Sequence, residues 1–138
     1  MAEITPDGQV KVEWYMRHGA TFIKDYVWAT GGTPAIPASP GVPEVPAVPA
    51  VPVNLTGWVG RAHIRDKLNS ETILVELTTQ NGGMTLGSAG QIHIEVSATQ
   101  TKDLSAYKKA VTDVELESPS GFVRNLIGAD IILGSNVT

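Results

Sequence analysis

Three histidines, His18, His63 and His93, offer the widest choice of chemistry, because imidazole can hold a metal ion or carry a proton. A metal site needs two or three of them to converge with carboxylates, and no short ligand spacing joins them. His63 and His93 each lie between apolar residues of an alternating segment, which places both on the outward side of a strand. We therefore predict solvated surface histidines, with no bound metal and no cofactor.

Asp113 and Glu115 have the carboxylate spacing that best suits acid–base chemistry, because residues two apart share one face of a strand. Glu95 is a third candidate if its strand lies alongside. Glycoside hydrolysis needs two such carboxyl groups about 5–9 Å apart in a cleft, whereas an outer sheet face needs no cleft. We favour the outer sheet face, and no nucleophile, base and acid have a spacing that supports catalysis. The sequence therefore predicts a protein that is not an enzyme.

Five aromatic residues could form a sugar-binding platform: Trp14, Tyr15, Tyr26, Trp28 and Trp58. Such a platform needs rings that are exposed and coplanar. Large aromatic side chains near the start of sandwich strands more often fill the core, where their apolar area is buried. We therefore expect core packing, and a carbohydrate-binding module stays open as an alternative.

The composition bounds the remaining classes of function. The chain has 138 residues, enough for one domain with a real core, and we expect a single domain over residues 1–138. Its net charge is −4 with neither sign clustered, which argues against a basic nucleic-acid footprint. There is no cysteine, and no apolar run is long enough for a signal peptide or a membrane span. We expect cytoplasmic synthesis, with neither nucleic acid nor membrane as a partner.

The most regular feature of the chain is a proline at every third position from residue 34 to residue 52. Polyproline II has about three residues per turn, so this period puts all these prolines on one face of an extended helix. Each proline fixes its own φ and pushes the preceding residue toward extended geometry. We therefore predict a stiff polyproline II arm inserted at residues 31–53, in which residues 34–52 would reach roughly 60 Å.

The residues that precede these prolines are nearly all apolar, which predicts a docking function for the arm. A linker that only had to stay solvated would carry serine, lysine or glutamate. The alternative is an inert spacer with incidental valines, but long loops in compact domains are usually functional or disordered. The predicted partner-binding residues are Pro34, Ile36, Pro37, Pro40, Val42, Pro43, Val45, Pro46, Val48, Pro49, Val51 and Pro52.

Alternating apolar and polar residues on both sides of the arm predict short β-strands separated by turns rich in glycine and proline. One helix of about two turns is predicted over residues 98–104, with Ser97 as its N-cap. The expected strands cover residues 9–15, 21–29, 58–65, 72–78, 84–86, 91–97, 110–117, 122–127 and 129–133, with a kink or bulge at Gly128. Such a series of short strands predicts an all-β fold, an antiparallel β-sandwich.

The chain also carries a set of short phrases within residues 18–30 and 54–138. They are His18-Gly19-Ala20-Thr21-Phe22; Asn54-Leu55-Thr56-Gly57-Trp58 with Arg61, Ile64 and Arg65; Val75-Glu76-Leu77-Thr78-Thr79; Asn81-Gly82-Gly83-Met84-Thr85-Leu86-Gly87 with Gly90-Gln91-Ile92; Asp113-Val114-Glu115-Leu116 with Ser118-Pro119-Ser120-Gly121; and Val123-Arg124, Leu126-Ile127-Gly128 and Val137-Thr138. Together they resemble a pattern found in small virion proteins of tailed bacteriophages, with Ala20 where that family usually has an aspartate.

The resemblance is to a family similar to the β-sandwich N-terminal domain of baseplate upper proteins of lactococcal phages, which attaches receptor-binding parts to the tail. It implies a scaffold of turns and strands, and it speaks to fold more than to chemistry. The family usually joins its first two strands through a short D-G-T-P-x-D-L-T-G turn. Here the arm is inserted between Thr33-Pro34 and Asn54-Leu55.

The resemblance implies a non-enzymatic structural protein of a tailed-phage virion, made in the cytoplasm of the bacterial host. Its expected place is the tail baseplate or fibre-attachment region. The expected partners are other virion structural proteins, namely baseplate, fibre or capsid subunits, in a symmetric multi-copy assembly that the arm locks together. Two alternatives stay open: a capsid decoration or cement protein whose arm bridges capsomers, and the carbohydrate-binding module.

Overall fold

The computed structural model describes residues 2–4 and 10–134, which form ten β-strands and one short helix in two sheets. The strands are β1 (Ala2–Ile4), β2 (Val10–Arg17), β3 (Phe22–Thr30), β4 (Val51–Pro52), β5 (Val59–Ile64), β6 (Val75–Thr78), β7 (Met84–Leu86), β8 (Gln91–Val96), β9 (Lys109–Glu117) and β10 (Val123–Gly134). The helix α1 (Ala98–Asp103) follows β8. The predicted all-β, sandwich-like fold is confirmed.

The two sheets have five strands each. In sheet A the order is β1-β3-β8-β7, with β4 also paired to β3, and in sheet B the order is β2-β10-β9-β5-β6. Most neighbours are antiparallel, but β1 is parallel to β3 and β2 is parallel to β10. The first two strands of the chain, β1 in sheet A and β2 in sheet B, therefore each join their sheet through a parallel pairing. No helix in the described part of the chain is long and apolar enough to cross a membrane.

The core lies between the sheets and follows the predicted alternation. On β8 the side chains of Ile92, Ile94 and Val96 are fully buried, and on β9 those of Val114 and Leu116 are. Burying a side chain of this size contributes about 1.5–3 kcal/mol, so the alternation of apolar residues both selects the sheets and stabilises them.

A buried hydrogen bond ties the two sheets together. Trp14 on β2 donates its indole N–H to the hydroxyl of Tyr26 on β3 at 2.8 Å. Both side chains belong to the core, and Trp14 is fully buried. Removing either the indole N–H or the hydroxyl would leave the other group buried without a hydrogen bond, which would destabilise the fold.

The helix forms where the sequence predicts it. Ser97 is its N-cap and accepts a hydrogen bond from the backbone N–H of Gln100 at 3.1 Å, while the Gln100 side chain accepts one from the Ser97 backbone N–H at 2.9 Å. This reciprocal capping box satisfies two N–H groups that a helix start otherwise leaves unpaired.

The last part of the sandwich differs from the prediction. Residues 122–127 and 129–133 were expected as two strands with a kink at Gly128, but β10 is one strand. Its register against β9 shifts between Asn125 and Ile127, two residues earlier than expected, and Gly128 pairs normally with Asp113. A bulge adds one residue to one strand and needs no glycine, so Gly128 was a misleading signal.

Candidate functional site: the proline-rich hairpin

Residues 31–50, which we call the proline-rich hairpin, fold back on themselves. The single extended rod predicted for this segment is wrong, because the chain reverses at Ser39-Pro40-Gly41-Val42. Val42 donates its backbone N–H to the Ser39 carbonyl at 2.8 Å, and Gly41 has φ of +79°. Proline at the second position and glycine at the third are the signature of a type II turn, which needs positive φ at the third residue. The reach is therefore roughly halved, to about 30 Å for each leg.

The two legs are joined by pairs of backbone hydrogen bonds at every third residue. Thr33 pairs with Val48, Ile36 with Val45 and Ser39 with Val42, and each pair exchanges two N–H···O bonds of 2.8–3.0 Å. Every one of these residues directly precedes a proline. Because proline has no N–H, a repeat of three leaves the donors in the ladder untouched and places each proline between the rungs.

The hairpin continues a strand pair of the sandwich without a break in register. At its base Ala29 pairs with Pro52 and Thr30 with Val51, which joins β3 to β4. The next pair outward is Thr33 with Val48, in the same register. The hairpin is therefore an extension of sheet A rather than a loop attached to it.

Trp28 anchors this base. Its backbone N–H donates to the Gly90 carbonyl at 2.8 Å, and its carbonyl accepts from the Val53 N–H at 2.9 Å. Its ring packs edge-on against Trp58, with centroids 5.4 Å apart, and the Arg124 guanidinium lies 5.9 Å from its centroid. The base of the hairpin is therefore held to the sandwich by backbone hydrogen bonds and by ring packing.

The hairpin carries its apolar side chains into solvent. All residues from 31 to 49 are exposed. The exposed fractions of Ile36, Val42, Val45 and Val48 are 53%, 51%, 42% and 56%. Val51 and Pro52, also predicted as binding residues, lie exposed in β4 at the base. The twelve predicted positions thus form one continuous exposed element, and exposed contiguous apolar surface on a soluble domain usually marks an interaction site.

The three histidines lie apart from one another. The His18 ring is 3.1 Å from the Tyr107 carbonyl, the His63 ring is 3.8 Å from Glu76, and the His93 ring is 2.6 Å from Asp25. In residues 2–4 and 10–134, no three histidines and carboxylates lie close enough together to hold a metal ion.

His93 forms a hydrogen bond that alters its titration. Its hydrogen bond with Asp25 raises its pKa above the ordinary value, and the nearby Glu95 carboxylate adds to the rise. His93 and Asp25 sit on neighbouring strands β8 and β3, where they are directly opposite each other. The pair is on the partly exposed outer face of sheet A, so it makes a surface ion pair rather than a catalytic dyad.

The predicted carboxylate group is divided between the sheets. Glu95 lies on β8 in sheet A, whereas Asp113 and Glu115 lie on β9 in sheet B. Glu115 is held by Arg61, which donates from Nε at 2.7 Å and also bonds Glu117 at 3.2 Å. The outer-face interpretation fits this arrangement, and the suggestion that Glu95 neighbours the other two is wrong.

The aromatic residues are mainly core, as predicted. Trp14, Tyr26 and Trp28 are buried and Trp58 is half-buried, so of the five candidates only Tyr15 is largely exposed. They form no coplanar exposed platform for a sugar.

A groove of about 710 Å³ on the outer face of sheet B was not predicted. It is lined by basic and acidic residues together: Lys11, Arg61, His63, Arg65, Glu71, Asp113, Glu115 and Asp130. Arg65 donates to the Ser70 carbonyl at 2.7 Å and so holds the following loop over the strand. The groove has nearly balanced charges and a mixed polar and apolar lining, whereas small-molecule sites are usually lined mostly by apolar side chains.

The turn and the ladder of the hairpin were also missed, although the sequence contains both signals. Ser39-Pro40-Gly41-Val42 lies at the centre of the repeat, and the residues that precede prolines are equally spaced on the two sides of this turn.

No family model matches the chain, and no curated protein matches it either.

Proposed function

We propose that this chain is a non-enzymatic structural protein of a tailed-phage virion, in the tail baseplate or fibre-attachment region. The sandwich supplies a rigid body, and the proline-rich hairpin docks on neighbouring subunits of a symmetric multi-copy assembly. The observation that carries the proposal is the hairpin itself, an exposed apolar element that continues sheet A in register. The resemblance of residues 18–30 and 54–138 to small phage virion proteins supports the setting.

The spacing of the ladder supports polyproline II geometry in both legs. Rungs at every third residue match the three residues per turn of that helix, whereas a β-ladder repeats every two residues. Residues three apart then repeat one orientation, and directly opposite residues project to the same side of a pair. Ile36, Val42, Val45 and Val48 therefore share one face, and Glu44, which follows a proline, does not belong to that set.

Proline suits a docking arm because it reduces the conformational entropy that the arm loses on binding. A free loop of this length would lose backbone freedom on every residue when it settled on a partner. Here the prolines and the ladder have already restricted the chain, so more of the contact free energy remains for affinity.

A capsid decoration or cement protein is the second candidate, since the same hairpin could bridge capsomers. The carbohydrate-binding alternative has lost its platform, because Trp14, Tyr26 and Trp28 are in the core.

Immunogold labelling of intact particles from the source lysate, with antibody raised against residues 54–138, tests the setting. Gold at the tail tip is the expected result. Gold over the head would favour the decoration protein. Particles free of gold, with the protein abundant and accessible to antibody in the same lysate, would overturn the virion proposal.

A further inference from the structure

The ladder between the legs leaves a second set of backbone donors unused. The N–H groups of Ala35, Ala38, Glu44 and Ala47, each directly after a proline, make no hydrogen bond with any described residue. The carbonyl groups of the neighbouring prolines are likewise absent from the ladder. Both legs therefore carry polar backbone groups at every third residue that only water or a partner can satisfy.

The side chains at these positions permit another backbone to approach closely. Three of the four are alanine, and the chain reversal places Gly41 at the corresponding position of the tip. Only Glu44 is larger, and it is also the only charged residue between 31 and 50. Small residues beside unpaired donors leave room for a second backbone to approach closely.

The spacing of the donors selects the kind of chain that can pair with them. In polyproline II the repeat of three residues spans about 9.3 Å, whereas the two-residue repeat of a β-strand spans about 6.8 Å. A β-strand laid along a leg would fall out of step after one or two bonds. The partner must itself have a three-residue repeat, and the only such segment in this chain is the hairpin.

We infer that the hairpin of one copy pairs with the hairpin of a second copy of the same chain, through the N–H groups that follow the prolines. This rests on the proposed function, since it names the neighbouring subunit on which the hairpin docks. The two legs of one molecule already pair through the same repeat, so the sequence is compatible with itself. Pairing of two hairpins leaves their apolar face open to pack on a third surface.

The contact is small. A leg of about 30 Å offers only a few hydrogen bonds along a narrow contact. A stable complex usually buries roughly 800 Å² on each partner, which is far more area than such a contact covers. Copies of the free protein will therefore associate weakly, and the pairing becomes firm where an assembly raises the local concentration of hairpins.

The chain has no cysteine, so a single introduced cysteine reports which surfaces of two copies meet. We would place it at Glu44 in the hairpin (Glu44→Cys) and, as a control, at the exposed Lys102 on α1 (Lys102→Cys). A short bis-maleimide added to concentrated protein should join two copies of Glu44→Cys and leave Lys102→Cys at background. Failure of Glu44→Cys to exceed that background would overturn the inference.

Proline substitution tests the donors themselves. Ala38→Pro with Ala47→Pro, in the Glu44→Cys background, removes two of the proposed donors and leaves the internal ladder intact, since that ladder uses only the residues before prolines. Ala38→Ser with Ala47→Ser keeps both N–H groups and is the matched control. We expect cross-linking of the double proline variant (the proline pair) to fall to the level of Lys102→Cys. Cross-linking of the double serine variant (the serine pair) should stay within twofold of that of Glu44→Cys alone.

Equal cross-linking of the proline and serine pairs, with unchanged melting temperatures, would show that the post-proline N–H groups do not join the copies. Incorporation into particles separates this inference from the proposed function. If the proline pair enters particles normally while a chain without the hairpin does not, the hairpin docks on a different protein, and the inference is overturned alone.

Discussion

The sandwich and the proline-rich hairpin use the same antiparallel pairing with different repeats. In β8 and β9 the repeat is two residues, and every second side chain is buried between the sheets. In the hairpin the repeat is three residues, and all side chains from residue 31 to residue 49 are exposed. One register runs through both at the β3–β4 base.

The two repeats separate the residues that hold the fold from those that, on the proposed function, dock on a partner. A repeat of two with one apolar face gives a sheet that must be covered, and here the other sheet covers it. A repeat of three with proline gives a self-supporting ladder whose apolar residues no described part of the chain covers. Stability should therefore depend on the sandwich, and assembly on the hairpin.

The largest expected effect is a loss of stability when a core residue is truncated. Leu116→Ala should lower the free energy of unfolding by about 2–5 kcal/mol, because Leu116 is fully buried and its loss leaves a cavity. Val45→Ala in the hairpin should change it by less than about 0.5 kcal/mol. Urea denaturation followed by tryptophan fluorescence measures both, and a comparable loss from Val45→Ala would mean that the hairpin belongs to the core.

The hydrogen bond between the sheets should give the next effect. Tyr26→Phe leaves the buried indole N–H of Trp14 without its acceptor, and we expect a loss of about 1–3 kcal/mol. Tyr15→Phe is the control, since Tyr15 is 66% exposed and its hydroxyl donates to the exposed Glu13 side chain. The same denaturation curves decide, and equal midpoints for the two variants would contradict a structural role for the bond.

A change at the hairpin tip should act locally. Gly41→Ala forces a residue with a Cβ into positive φ, at a cost of about 1–2 kcal/mol, and a Cβ there meets no neighbour within 4 Å that would add a clash. Hydrogen exchange of the Val42 and Val45 amides should accelerate roughly tenfold. The melting temperature of the domain should not change.

Gly41→Asn is the matched control, because asparagine tolerates this conformation better than alanine. Exchange that is equally fast in both variants would mean that the turn is not type II. A lower melting temperature in either would mean that the hairpin and the sandwich unfold together.

The smallest effect is a pH dependence confined to sheet A. Asp25 raises the pKa of His93, so the folded state favours the protonated ring. That contribution is fully present below the unfolded value of 6.5 and is lost as the pH rises through the higher pKa of the folded state. Asp25→Asn should lower the His93 pKa and weaken this pH dependence, as NMR titration and melting curves on both sides of the transition would show. An unchanged His93 pKa would contradict the pairing.

The sequence predicted those parts of the fold that depend on local pattern. The alternation at Ile92, Ile94 and Val96 placed β8 correctly, and Ser97 marked the start of the helix. The shift between Asn125 and Ile127 was missed because a bulge depends on the partner strand, which one segment does not reveal. The groove was missed for a similar reason, since it needs the loop bonded to Arg65 together with four strands, β2, β5, β9 and β10.

The candidate site was predicted in its residues but not in its shape. Proline at every third position predicted a stiff arm with an apolar stripe, and the side chains of that stripe are exposed. The glycine at the centre of the repeat determines whether the segment is a rod or a hairpin. The position of Gly41, directly after Pro40, was the signal for the turn.

Replacing residues 31–50 by Asn-Gly is the most direct test of the division between fold and docking. Thr30 and Val51 already pair, so a two-residue turn closes the β3–β4 base without strain. We would measure the melting temperature of the shortened chain and its incorporation into particles in competition with the full chain. We predict an unchanged melting temperature and a loss of incorporation. Unfolding of the shortened chain, or incorporation equal to that of the full chain, would contradict this prediction.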